Sequence, residues 1–116
     1  MKRIVLLVVF FSFFVMGSFA FAHPPSDIQI TFDAKTKMLD AVIIHNTSSV
    51  SNHYINKVDV DLNGVGIIEQ KISRQDSASS QTVHYLISDV KDGDVLSVEG
   101  YCSISGKLKK EITVKL

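Results

Sequence analysis

The sequence contains a single cysteine, Cys102, among its 116 residues. One thiol excludes an internal disulfide framework and any zinc site built from several thiolates. The chain also lacks an excess of charge, because 12 basic residues balance 12 acidic ones, and it therefore has no electrostatic footprint for nucleic acid. It has no Gly-rich phosphate loop, no Ser/His/Asp pattern in a strand context and no paired carboxylates in an apolar setting. Hydrolase and nucleotide-binding functions thus have no support in the sequence.

Residues 1–22 have the composition of a secretory signal peptide. Two basic residues near the start precede an almost unbroken apolar stretch, and Ala20-Phe21-Ala22 fits the small-x-small cleavage rule. We therefore expect cleavage before His23 and a single exported domain of residues 23–116, periplasmic or secreted and not held in a membrane. That domain carries ten basic and 12 acidic residues, and one of the seven Phe residues of the chain.

Apolar and polar residues alternate along most of the remaining chain, as is typical of half-buried β-strands. In the clearest stretch, Val58, Val60 and Leu62 would face a core while the charged residues between them face water. Asn63-Gly64 then predicts a tight hairpin turn, because both residues tolerate positive φ. Seven strands are predicted, at 27–32, 38–44, 54–62, 66–72, 81–87, 94–102 and 108–116. The expected fold is all-β, an antiparallel β-sandwich of immunoglobulin-like type.

Four residues that can bind metals fall at predicted strand ends or in loops. They are His23 at the expected new N-terminus, His45 at the end of the second strand, His53 at the start of the third, and Cys102 at the end of the sixth. Imidazole and thiolate are natural ligands for iron, copper and zinc, and loops at one end of a sandwich can gather them. The fourth histidine, His84, lies within an alternating strand, where we expect a surface or cross-strand residue.

Several segments together resemble the desulfoferrodoxin and superoxide reductase family. His45 followed by His53-Tyr54-Ile55 resembles the histidine pair of that family, and residues 101–107 resemble its C-terminal Cys-Asn-x-His-Gly motif. Lys91-Asp92-Gly93-Asp94 resembles its Gly-Asp turn, and His23-Pro24-Pro25 stands near the place of its first histidine. The resemblance covers nearly all of the expected mature chain in the same order.

The resemblance implies an immunoglobulin-like sandwich with a mononuclear iron centre of four equatorial histidines and an axial cysteine thiolate. Such a centre reduces superoxide to peroxide with electrons from a donor protein. His23, His45 and His53 would be imidazole ligands and Cys102 the axial thiolate. Ser105 stands where the family has its fourth histidine. Loss of that imidazole would open a second coordination position to water, which argues against rapid superoxide turnover.

Two alternatives to the iron site remain at the level of the sequence. Cleavage before His23 would free an α-amino group beside its imidazole, and these two nitrogens could chelate Cu(II) with His45 or His53 as a further ligand. The other alternative is a metal-free sandwich that binds a protein or polymer through its loops. In that case Cys102 is a small buried residue and the histidines are surface groups.

Overall fold

The computed structural model describes residues 23–116, so the predicted signal peptide lies outside the described residues. Within that range the chain folds as seven β-strands without a helix: β1 (Asp27–Asp33), β2 (Met38–Ile44), β3 (Ile55–Leu62), β4 (Val65–Lys71), β5 (Ser80–Leu86), β6 (Val95–Cys102) and β7 (Lys107–Thr113). The described part of the chain accordingly has no helix that is long and apolar enough to cross a membrane.

The strands form two antiparallel sheets. One sheet has three strands in the order β1-β2-β5, and the other has four in the order β4-β3-β6-β7. Apolar side chains from both sheets form one buried core. The predicted all-β sandwich is therefore confirmed, while the more specific immunoglobulin-like type stays a prediction.

Six of the seven strands match their predicted bounds to within one residue at each end. At the β3–β4 turn, Asn63 and Gly64 have φ values of 51° and 81°, as the turn chemistry requires. The prediction for β7 was wrong at its end, because the strand stops at Thr113 and not at Leu116. After Thr113 the chain bonds to a turn instead of to β6: the Val114 amide donates to the Asp94 carbonyl at 2.8 Å.

The core depends on a close approach of the two sheets between β2 and β6. Ile43 on β2 is fully buried, and it faces Gly100 on β6. A Cβ at position 100 would lie 3.0 Å from Cγ2 of Ile43, which is tighter than van der Waals contact. Glycine at this position therefore lets the sheets pack at their observed separation.

Strand register brings four chain segments to one end of the sandwich. Asp27 pairs with Ile44, so the start of β1 lies beside the end of β2. Ile55 pairs with Cys102, so the start of β3 lies beside the end of β6. The residues that directly flank these pairs, such as His45, therefore lie at the same end of the sandwich.

Replacement of Gly100 by alanine should destabilise the domain by about 1–3 kcal/mol, because the added methyl group overpacks the core against the fully buried Ile43. Denaturant unfolding of residues 23–116 measures this change. Gly66→Ala is the matched control, since a Cβ there would come no closer than 3.5 Å, to Oδ1 of Asp61. A Gly100→Ala variant as stable as the Gly66→Ala variant would contradict the close sheet approach.

Candidate metal centre

The structure brings His23, His45 and His53 together. One ring nitrogen from each histidine lies within 4.8 Å of the other two. The ring centroids are 4.8 Å apart for His23 and His45, 5.0 Å for His23 and His53, and 4.7 Å for His45 and His53. Residues separated by up to 30 positions in the sequence thus form one cluster, which we call the three-histidine cluster.

His45 lies at the base of the cluster. It directly follows β2, it is fully buried, and its backbone amide donates to the Ser79 carbonyl at 3.0 Å. Its Nδ1 lies 2.9 Å from Oε1 of Gln75, which is itself 1% exposed. His45 therefore has one ring nitrogen fixed by a buried amide and the other, Nε2, on the side of His23.

His53 projects from the loop between β2 and β3. Its backbone amide donates to the Ser49 carbonyl at 2.9 Å, which closes a turn before the strand begins. Its Nε2 is buried and has no hydrogen-bond partner within residues 23–116. Burial lowers the pKa of His53 below its usual value of 6.5, and the neighbouring His45 and His23 lower it further. This shift favours the neutral imidazole, which is the form that binds metals.

His23 completes the cluster from the segment before β1. Its ring is exposed, and Nδ1 lies 3.1 Å from the carbonyl oxygen of Pro24. The carbonyl oxygen of His23 lies 3.3 Å from Nε2 of His45, so its main chain also borders the cluster. Pro24 packs on Gly106 in the β6–β7 hairpin, where a Cβ would lie 2.8 Å from Cβ of Pro24. This contact fixes the position of the segment that carries His23.

Cys102 lies at the same end of the sandwich but is not a member of the three-histidine cluster. It is 8% exposed and its thiol is free. Its backbone amide donates to the Gly106 carbonyl at 2.9 Å. Ser105, the residue at the place of the fourth histidine of the resembling family, is exposed. His84 is exposed on β5 and pairs across the ladder with Asp40, its Nδ1 lying 2.5 Å from Oδ1.

The three-histidine cluster can hold a metal ion. Nitrogen atoms spaced by 4.8 Å or less lie within about 2.8 Å of a common centre, so shifts of about 0.7 Å would give the bonds of about 2.0–2.1 Å that zinc forms with histidine. Three imidazoles leave at least one coordination position free for another ligand. Neutral nitrogen donors of this kind suit zinc, copper, iron and nickel.

Sequence reasoning missed Gln75, the buried partner of His45. The residue lies in the polar, Ser-rich segment between β4 and β5, which predicts an exposed loop, and its neighbours Arg74 and Asp76 are indeed exposed. No periodicity marks Gln75 as different from them. Only the contact across the two loops, over 30 positions of sequence, distinguishes it.

Comparison with known proteins adds no family assignment. No family model, curated protein or solved structure matches the chain. The relation to the superoxide reductase family therefore stays a prediction that rests on the residues quoted above. Support for a function comes from the geometry of the three-histidine cluster.

Gly106→Ala should weaken binding of a divalent probe ion such as Zn(II), because the new methyl group displaces Pro24 and with it His23. Gly93→Ala is the matched control. Both glycines have positive φ, 89° and 87°, so both variants strain the backbone, but nothing lies within 4 Å of a Cβ at position 93. Calorimetric titration of the two variants measures the difference. Equal affinities would contradict the dependence of the cluster on the Pro24 contact.

Proposed function

We propose that residues 23–116 function as an exported metal-binding domain that holds one divalent transition-metal ion through His23, His45 and His53. The convergence of three imidazoles within 4.8 Å supports this proposal most directly. Export is proposed from the signal-like composition of residues 1–22.

The buried, unpartnered Nε2 of His53 is a second line of support. A buried polar atom without a hydrogen-bond partner costs about 1–3 kcal/mol, and folded proteins retain few such atoms without a reason. Coordination of a cation by the Nε2 lone pair would remove that cost. The neutral state favoured by the lowered pKa of His53 leaves one ring nitrogen unprotonated and able to bind a cation.

The finer proposal, taken from the family resemblance, is that the metal is iron and that Cys102 would hold it through a thiolate in addition to the three imidazoles. Cys102 pairs with Ile55 at the end of the sandwich where the histidines meet, and Ile55 follows His53 by two residues. Superoxide would then be the substrate and an electron-donor protein the partner. Three imidazoles in place of four, with Ser105 exposed, fit a site that binds metal more readily than it turns over superoxide.

Removal of either of the two more accessible ligands should lower metal affinity by more than about 100-fold, beyond the range typical of outer-shell partners. Titration of residues 23–116 with Co(II) should give one bound ion, and His23→Asn and His53→Asn should each lose it. His84→Asn is the matched control, because His84 is exposed and bonded to Asp40 outside the cluster.

The outcomes of this titration separate the three candidate functions. Wild-type protein that binds no ion, or that binds equally well in both cluster variants, would overturn the proposal and favour a metal-free binding module. Competition among Fe(II), Zn(II) and Cu(II) then assigns the metal. A preference for copper that vanishes when an extra residue precedes His23 would favour chelation by the α-amino group over the iron site.

A Cys102→Ser variant tests the finer proposal on its own. Anaerobic loading with Fe(II) and subsequent oxidation should give a visible thiolate-to-ferric absorption band in the wild type, and the serine variant should lack it. Serine is close to the size of the buried cysteine, so it changes the packing little while it removes the sulfur. A ferric site without this band would exclude the axial thiolate, and the three-histidine site would stand without it.

A further inference from the structure

Gln75 is the buried residue of an exposed loop. It is 1% exposed, whereas Arg74, Asp76, Ser77 and Ser79 are exposed. Its backbone amide donates to the Val50 carbonyl at 3.0 Å, which ties this loop to the loop that carries His53. A polar residue in a surface loop is normally exposed to water, so the burial of Gln75 and the full hydrogen bonding of its side chain suggest a specific role.

The orientation of the Gln75 amide follows from its backbone partners. Nε2 donates to the carbonyl oxygens of His45 at 2.7 Å and Ser77 at 2.8 Å. Oε1 accepts from the backbone amide of Ile55 at 3.1 Å. Exchange of the two atoms would oppose donor to donor and acceptor to acceptor, so these contacts exclude the flipped amide.

This orientation favours a proton on Nδ1 of His45. Oε1 of Gln75 can only accept, and it lies 2.9 Å from Nδ1 of His45, so a hydrogen bond between them needs Nδ1 as the donor. In a neutral imidazole the other nitrogen, Nε2, then has a free lone pair. Nε2 also faces a group that can only accept, the carbonyl oxygen of His23, but at 3.3 Å against 2.9 Å for the Gln75 contact. A neutral ring has one proton for these two acceptors, and the shorter contact favours Nδ1. A cation bound at Nε2 would then also be attracted to the His23 carbonyl oxygen.

We infer that Gln75 is the positioning residue of the metal centre, because it selects the Nδ1–H form of His45 and so presents the Nε2 lone pair to the ion. This role rests on the proposed metal-binding function. At many metal-bound histidines a carboxylate or a backbone carbonyl accepts the N–H of the ring nitrogen that does not bind the metal. Here the neutral side-chain amide of Gln75 would accept that N–H. The same amide fixes the start of β3, so the ring and its support are held by one side chain.

The chain offers a matched control in Gln81. This second buried glutamine is 8% exposed; its Oε1 accepts from the Asp76 amide and its Nε2 donates to the Thr82 carbonyl, both at 3.0 Å. It therefore stabilises the same loop through hydrogen bonds that do not involve His45. Loss of Gln81 should lower stability and leave metal affinity unchanged.

Three variants separate positioning from stability. Gln75→Met removes the acceptor at Nδ1 and should lower Zn(II) affinity about 10–100-fold. Gln75→Glu keeps an acceptor oxygen for Nδ1 and Ile55 but loses the donors to His45 and Ser77, so it should be destabilised and yet retain metal affinity. Gln81→Met should be destabilised and bind Zn(II) like the wild type.

Long-range 1H–15N spectra of the metal-free wild type read the His45 tautomer directly and need no variant to fold. The expected spectrum shows a proton on Nδ1 and none on Nε2. A proton on Nε2, or a Gln75→Met protein that binds Zn(II) as tightly as the wild type, would overturn the role of Gln75. Absence of Zn(II) binding by the wild type would instead overturn the metal-binding function itself.

Discussion

The buried amide of Gln75 connects the chain segments that meet at the histidine end of the sandwich. It bonds to His45 after β2, to Ile55 at the start of β3 and to Ser77 before β5. Because each of its polar atoms has two partners, loss of the side chain would leave several buried groups unpaired, each at a cost of about 1–3 kcal/mol. Gln75 therefore helps to fix His45 directly, and it helps to fix the loop that carries His53 through its backbone bond to Val50.

Polar satisfaction differs between the two sides of His45. Around Gln75 every side-chain polar atom is paired, which makes the base of the cluster rigid. On the other side, the His53 ring lies 4.7 Å from the His45 ring between centroids, and its Nε2 is buried and has no hydrogen-bond partner in the described part of the chain. Local departures from a well-satisfied structure tend to mark functional sites. A fixed His45 ring beside an unpartnered Nε2 of His53 is an arrangement that suits metal binding.

Much of the fold could be predicted because its signals are local. Alternation along each strand and the Asn63-Gly64 turn located the strands to within a residue, and only the end of β7 was wrong. The cluster was harder to predict from the sequence, because the spacing of His23, His45 and His53 does not show that they meet. Their convergence depends on strand register, such as the pairing of Asp27 with Ile44. Gln75 could not be predicted, because its burial arises only from contacts between loops.

X-ray absorption spectroscopy of the metal-loaded domain tests the central claim, that three imidazoles hold one ion. We predict three histidine nitrogens at about 2.0–2.1 Å from the metal, together with the scattering from the outer ring atoms that is typical of imidazole. A thiolate sulfur at about 2.3 Å in addition would bring Cys102 into the same site. A first shell of oxygen atoms without imidazole scattering would contradict the three-histidine site.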